Sequence, residues 1–435
     1  MQTENRLNLL IEETFHRETG RVLSSLIGKL GDFDLAEDVL QEAFVVALER
    51  WPQEGIPLNP AAWLFTTAWR KALDRFRRTS ILAKKQPLLQ AQAEIEQELK
   101  QADENADSEI ENEDFHFPDE RLKLIFTCCH PALNLEAQVA LTLHTLGGLS
   151  TAEIASAFLV PTTTMAQRLV RAKRKIREAH IPYKVPAASQ LTERLDGVLS
   201  VLYLIFNAGY TANLGDNLIR QELCAEAIRL CRNLVMLLNE ERQLAEKPEA
   251  SGLFALMLLH DSRRAARVNE HGELVVLEEQ DRSLWNQAQI EEGVAVLEKA
   301  LSLRQPGAYQ IQAAISALHA QAARPEDTDW FQIAMLYAEL VRYTRSAVIR
   351  LNWAVAVAMA STPQRGLEML AELVAISDLL EYYPYHAARA DLLRRAGKMI
   401  EAREAYRQAL ALTQNSVEQN FLRRRLSEVE QNIEV

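Results

Sequence analysis

Between Pro161 and Glu178 the chain gathers six basic residues, Arg168, Arg171, Lys173, Arg174, Lys175 and Arg177, against one acid, Glu178. The 435-residue chain as a whole carries a formal charge of −12. Cationic side chains at this density suit phosphate oxygens, whose neutralisation releases counterions. Met165, Leu169, Ala172 and Ile176 recur at spacings of four, three and four, which is one apolar stripe of a helix. Arg168, Arg171, Arg174 and Lys175 fall off that stripe and are expected to face solvent. Thr162, Thr163, Thr164 and Gln167 head the same helix with groups that hydrogen-bond base edges. The competing reading is a solvated face that balances acids elsewhere. Its coincidence with a two-helix pattern favours DNA.

A second cluster, Ala68 to Lys85, has seven basic residues and the single acid Asp74. Arg70, Lys71, Arg75, Arg77 and Arg78 follow Trp63, Phe65 and Trp69. Cations beside aromatic rings suit strand-separated DNA, whose bases stack on the rings. The alternative is that the rings are core, which is the expectation for Phe65 and stays open for Trp69. A third group, Asp38, Gln41 and Glu42, lies within four positions of one helix, either a polar patch fit for a partner's arginines or a solvated helix face.

Other chemistries find little support. Four cysteines do not make a disulfide framework, and Cys128, Cys129 and His130 are adjacent, a poor geometry for one metal ion. Buried thiols are the better reading, and no metal or other cofactor is expected. There is no phosphate-cradling glycine loop and no nucleophile elbow, so an enzyme is not expected. Asp261, Arg263 and Arg264 in "HDSRRAAR" either hold an anion or pair within the fold, and pairing is favoured. No apolar run approaches the roughly 18 residues that span a bilayer. With an N-terminus free of a signal pattern, a cytoplasmic protein without a membrane partner is expected.

The positioning elements read as all-α. Glycine and proline number 15 and 14, few for this length, and period-two alternation is not sustained. Ser150 or Thr151 caps a short helix in "GGLSTAEIASAFLV", with Ile154, Ala155 and Phe158 facing inward. Val160-Pro161 breaks that helix and the basic one follows, together a helix-turn-helix. Near the C-terminus Gly397, Ala402, Tyr406 and Ala409 have the small-large-small spacing of a tetratricopeptide unit. Gly366, Leu370 and Leu373 repeat the pattern upstream, and Gly293, Leu297 and Ala300 do so more weakly. A plain amphipathic bundle is the alternative.

"FDLAEDVLQEAFVVALERW" with "NPAAWLFTTAWRKALDRFRR" resembles region 2 of the extracytoplasmic-function sigma factors. "LGGLSTAEIASAFLVPTTTMAQRLVRAKRKIRE" resembles their region 4. "LYLIFNAGY", "LLHDSRRAAR" and "LEEQDRSLWN" are similar to the helical extension of a subgroup ending in tetratricopeptide repeats. The resemblance implies region 2 over 1–79, an acidic linker over 80–117, and region 4 over 118–183. A helical extension over 187–290 and tetratricopeptide-like repeats over 291–435 follow. It also implies a subunit that binds core RNA polymerase and leads it to promoter DNA. Leu35, Asp38, Val39, Gln41 and Glu42 then fall on the polymerase clamp. Trp63 to Arg78 falls on the −10 element, and the helix from Thr162 falls on the −35 element. The extension is expected to regulate the rest, with a protein or peptide partner for the repeats. The competing function is a ligand-sensing helix-turn-helix regulator that does not act as a polymerase subunit. The family's usual glycine is replaced by Leu159, which would have to tolerate or avoid a left-handed conformation.

Overall fold

The computed structural model describes residues 2–78, 120–158, 160–211, 218–240, 247–269, 274–344, 346–374, 379–413 and 415–434. The expected acidic linker and Leu159 therefore lie outside the described residues. Regular structure among the described residues is helical, apart from an isolated bridge between Val268 and Leu274. The chain divides into two compact units, Met1–Ile205 and Phe206–Val435.

In the first unit, α1 (Gln2–Leu30) stops at Gly31, whose φ of +66° suits glycine. Asp32 then caps α2 (Phe33–Glu54), its carboxylate accepting from the backbone nitrogens of Asp34 and Leu35 at 2.9 and 3.1 Å. Asn59 opens α3 (Pro60–Arg78) in the same way, accepting from the Ala62 nitrogen. Val22, Leu26 and Leu30 of α1 share a core with Ala36, Val39, Leu40, Ala43 and Trp51 of α2 and Leu64, Phe65, Ala68 and Trp69 of α3. Each large side chain buried there contributes roughly 1.5–3 kcal/mol.

Four shorter helices follow in this unit: α4 (Arg121–Cys128), α5 (Leu135–Thr145), α6 (Thr151–Ala157) and α7 (Thr162–Glu178). The α4 and α5 helices pack against α1. Contact is close at Gly20, where an added Cβ would meet the Leu146 carbonyl oxygen at 2.8 Å.

Helix α8 (Ala188–Thr211) runs through the division between the units. The second unit continues with α9 (Leu218–Glu240), α10 (Pro248–Asp261), α11 (Gln287–Ser302), α12 (Ala308–Gln321), α13 (Trp330–Tyr343) and α14 (Ala347–Ala360). It ends with α15 (Pro363–Val374), α16 (Tyr383–Arg395), α17 (Met399–Leu412) and α18 (Ser416–Glu434). The run from Leu253 to Leu259 makes α10 a helix buried all round, with α11 and α12 against it. From α11 onward each helix packs against the next, as short connections favour. Ala402, Tyr406 and Ala409 of α17 join Ala390 and Leu393 of α16 in one cluster, which is the nesting expected from the spacing. Gly366 lets α15 close on α14, since a Cβ there would come within 2.5 Å of that of Ala358.

Candidate nucleic-acid interface

Ser150, the first residue of the capping pair considered above, caps α6. Its hydroxyl accepts from the Glu153 nitrogen at 3.2 Å, while the Glu153 carboxylate accepts from the Ser150 nitrogen at 2.6 Å. Ile154 and Ala155 are buried, and Phe158 is half-buried where the helix ends. The chain turns with the Val160 nitrogen bonded to the Ala155 carbonyl, and Pro161 hands over to α7. Met165, Leu169, Ala172 and Ile176 are all buried, so the apolar stripe anchors α7 as its period requires.

Anchoring that face leaves Thr162, Thr163, Thr164 and Gln167 exposed at the start of the helix. Arg171, Arg174 and Lys175 are exposed as expected, with Arg171 donating to the Gln167 amide oxygen at 3.1 Å. Arg174 lies 3.7 Å from Glu178. Of the four residues expected to face solvent, Arg168 departs, and Lys173 beside them is held back as well. Arg168 is half-buried and bonds Glu136 of α5 at 2.7 Å. Lys173 is 11% exposed, because its ammonium reaches into α2 to bond Glu37 and lies 3.4 Å from Asp34. Arg177 follows it, bonding Asp34 at 2.7 Å.

Glu37 also faces His144 of α5, whose Nε2 is 3.6 Å away. Burial alone would lower the pKa of His144, but the Glu37 carboxylate outweighs it and the net shift is upward. Its Nδ1 sits 2.9 Å from the Leu149 carbonyl oxygen, which sustains the protonated form. One carboxylate of α2 thus serves two cations of the following helices. Sequence reading missed Asp34, Glu37, Glu136 and His144. The available signal was weak: Asp34, Glu37 and Asp38 recur at helical spacing on α2, beside a basic helix with no acids of its own until Glu178.

The second cluster looks different. Trp69 is 1% exposed and Phe65 likewise, with the Lys29 ammonium 5.9 and 5.7 Å from their ring centres. Trp69 is therefore core, because α3 needs it against α1 and α2, and its ring is not available to a base. Trp63 is half-buried and meets Trp51 edge-on at 5.4 Å. Arg75 bonds Asp38 at 2.9 Å and Glu42 at 2.5 Å, and Lys71 lies 4.0 Å from Glu42. The hydrogen bonds to Asp38 and Glu42 raise the Arg75 pKa further. Arg70 is exposed, and the Arg77 and Arg78 side chains lie outside the described residues.

In the polar patch of α2, Asp38 and Gln41 are exposed and Glu42 is half-buried. Leu35 is half-buried, whereas Val39 is fully buried in the three-helix core and cannot touch a partner.

The cysteines are buried, Cys129 beside Thr142 and Cys128 beside Thr145. Burial pushes the Cys129 thiol up to about 12 and Cys128 higher still, so both behave as small hydrophobes. Asp261 pairs with Arg264 at 2.8 Å and accepts from Gln289, in line with pairing inside the fold. Among the described residues no His, Cys, Asp and Glu cluster could hold a metal ion, and no helix is long and apolar enough to cross a membrane.

Comparison with known families places Sigma-70 region 2 over residues 14–81 and Sigma-70, region 4 over residues 123–176. A family of unknown function (DUF6596) matches residues 194–301, and a tetratricopeptide repeat matches residues 383–416. An uncharacterized protein of Rhizobium meliloti (strain 1021) is 41% identical over 408 residues, covering 93% of this chain and 92% of that protein.

Proposed function

The chain belongs to the extracytoplasmic-function sigma factors with a helical, tetratricopeptide-bearing extension, and from that membership we propose a division of labour among its parts. As a sigma factor it directs RNA polymerase to promoters. In this reading Thr162, Thr163, Thr164 and Gln167 read the −35 element, with Arg168, Arg171, Lys173, Arg174 and Lys175 supplying phosphate contacts. Arg70, Lys71 and Arg75, with Arg77 and Arg78 beyond, hold the −10 region, and Trp63 is the ring nearest to it. Asp38, Gln41 and Glu42 meet the polymerase. The domains run over 1–79, 118–183, 187–290 and 291–435, with 80–117 as linker. The last two regulate the first two and recruit a protein partner.

One observation carries the assignment of the reading helix. Four polar side chains stand exposed at the head of α7, while four apolar ones lock its other face. A helix presented this way keeps its first turn free for a groove.

Transcription with purified core polymerase tests the proposal. The full chain should yield promoter-specific transcripts. Asp38→Ala with Gln41→Ala should lose core retention, and Thr163→Ala with Gln167→Ala should change promoter choice. A chain ending at Ile205 should transcribe at a different rate if the extension regulates. Specific DNA binding without core-dependent transcripts would favour the ligand-sensing regulator instead.

A further inference from the structure

Between α10 and α11 the second unit carries a short strap, and the repeats grip it by its charges. Val276 and Gln280 are extended and flank one 3₁₀ turn, Leu277–Glu279. Glu278 accepts from Arg395 of α16 at 2.6 Å. Glu279 accepts from Arg424 at 3.0 Å and from Arg425, both on α18. The chain positions are 117, 145 and 146 residues apart, so this is tertiary docking and not a local turn.

The arginines are themselves set in place. Asp391 holds Arg395 at 2.7 Å, Glu428 holds Arg425 at 2.9 Å, and the Arg424 and Arg425 guanidiniums lie 5.7 and 5.5 Å from the Phe421 ring. Beside the strap a cavity of about 270 Å³ remains, lined among others by Leu277, Arg282, Trp330, Tyr406 and Phe421. Its lining joins rings to the charged groups of Asp391, Arg395 and Arg425, a setting for an apolar side chain next to a carboxylate.

The strap's own fastening is modest. Glu278 and Glu279 are 42% and 37% exposed, and their pairs with Arg395 and Arg424 contribute about 0–1 kcal/mol each, while the pair with the less exposed Arg425 is the firmer one. Fixed guanidiniums, an exchangeable acidic occupant and an open apolar cavity beside it describe a peptide groove that the chain itself occupies. We infer that the arginine groove of α16 and α18 is the docking site for a partner protein's acidic segment, two adjacent carboxylates next to an apolar residue, and that Val276–Gln280 is its internal stand-in. Docking displaces the strap and leaves the arginines paired to the incoming carboxylates. This docking rests on the partner-recruiting role proposed for the repeats, and peptide binding reads it without polymerase or promoter.

The probe is a fluorescein-labelled peptide of residues 274–281, LVVLEEQD, titrated into the full chain and followed by anisotropy. A tethered strap competes at roughly millimolar effective concentration, so the parent binds weakly. Glu278→Gln with Glu279→Gln vacates the arginines and should tighten binding at least about tenfold. Arg424→Ala with Arg425→Ala, added to that variant, should abolish the gain. A peptide with both glutamates replaced by glutamine should not bind. If the double glutamine variant does not melt as the parent does, Glu279→Gln alone gives the same comparison with one charge removed. Unaltered affinity in the folded glutamine variants, equal binding of the glutamine peptide, or displacement of the peptide by a single-stranded oligonucleotide at lower concentration than by unlabelled peptide would each overturn the inference.

Discussion

Helices α3 and α7 are both basic and both meet the acids of α2, yet they spend their charge differently. On α3 the pairing stays within one three-helix bundle, where Arg75 spans Asp38 and Glu42 at the surface while Phe65 and Trp69 go into the core. On α7 the pairing reaches over more than 130 positions of sequence, from Lys173 to Glu37 and from Arg177 to Asp34. The apolar anchor of α7 is a narrow stripe, so its first turn stays free. The contrast indicates that α3 has settled its aromatic residues in favour of stability. For α7, Lys173 is the proposed phosphate contact now held by α2, whereas Arg171, Arg174 and Lys175 stand exposed. Keeping that contact and binding DNA are then competing uses of the Lys173 ammonium.

The largest effect should come from testing the core assignment of α3. Trp69→Ala should cost about 3–5 kcal/mol in thermal or denaturant unfolding, as large-to-small core changes do. The half-buried Trp63→Ala should cost less. A Trp69 variant that melts like the parent but fails to open promoters would reverse the assignment and return the ring to the DNA. Next in size is the shared carboxylate. Glu37→Gln leaves the poorly exposed Lys173 only the Asp34 carboxylate, 3.4 Å away, and should weaken the contact by about 1–3 kcal/mol. Amide exchange along α7 should speed up and affinity for duplex DNA should rise. Unchanged exchange would mean that the pairing with α2 holds nothing.

Protonation provides a gentler perturbation of the same contact. The raised pKa of His144 means that the packed arrangement prefers the imidazolium. Its contribution is complete below about pH 6.5, the ordinary histidine value, and is lost as pH rises through the raised one. Exchange along α7 should therefore quicken on the alkaline side of that window, and His144→Gln should flatten the dependence. The smallest effect belongs to the α3 pair. Arg75 is 39% exposed, so Arg75→Ala should change stability by only about 0.2–1 kcal/mol, checked by a double-mutant cycle with Asp38. A coupling as large as that of Glu37 would erase the distinction drawn between the two helices.

Local rules made α6 and α7 legible. A capping serine, a proline break and a four-three-four stripe are all written within thirty residues, and each appears where its chemistry puts it. The repeat ladder at Ala402, Tyr406 and Ala409 was readable for the same reason. Trp69 was harder, since a ring beside cations has the same sequence signature whether it stacks on a base or on a core. Val39 sits beside Asp38 and takes the opposite face, which spacing on α2 decides but proximity in sequence obscures. The pairs of Lys173 with Glu37 and of Glu279 with Arg424 leave no local trace, because nothing periodic links positions so far apart.

The register of the α2–α7 pairing rests in part on an absence. At Gly20 the backbone of α1 meets the Leu146 carbonyl with no room for a methyl group. That position acts as a spacer of zero length, fixing how deeply α5 and its neighbours seat before any charge is felt. Alanine there would be a shim. It would lift the seat of the following helices by a fraction of an ångström to an ångström, and ion pairs at hydrogen-bonding distance have little slack to follow. Shape thereby sets the gap that charge then closes, and a neutral change at one residue can loosen a contact whose visible bonds are all ionic.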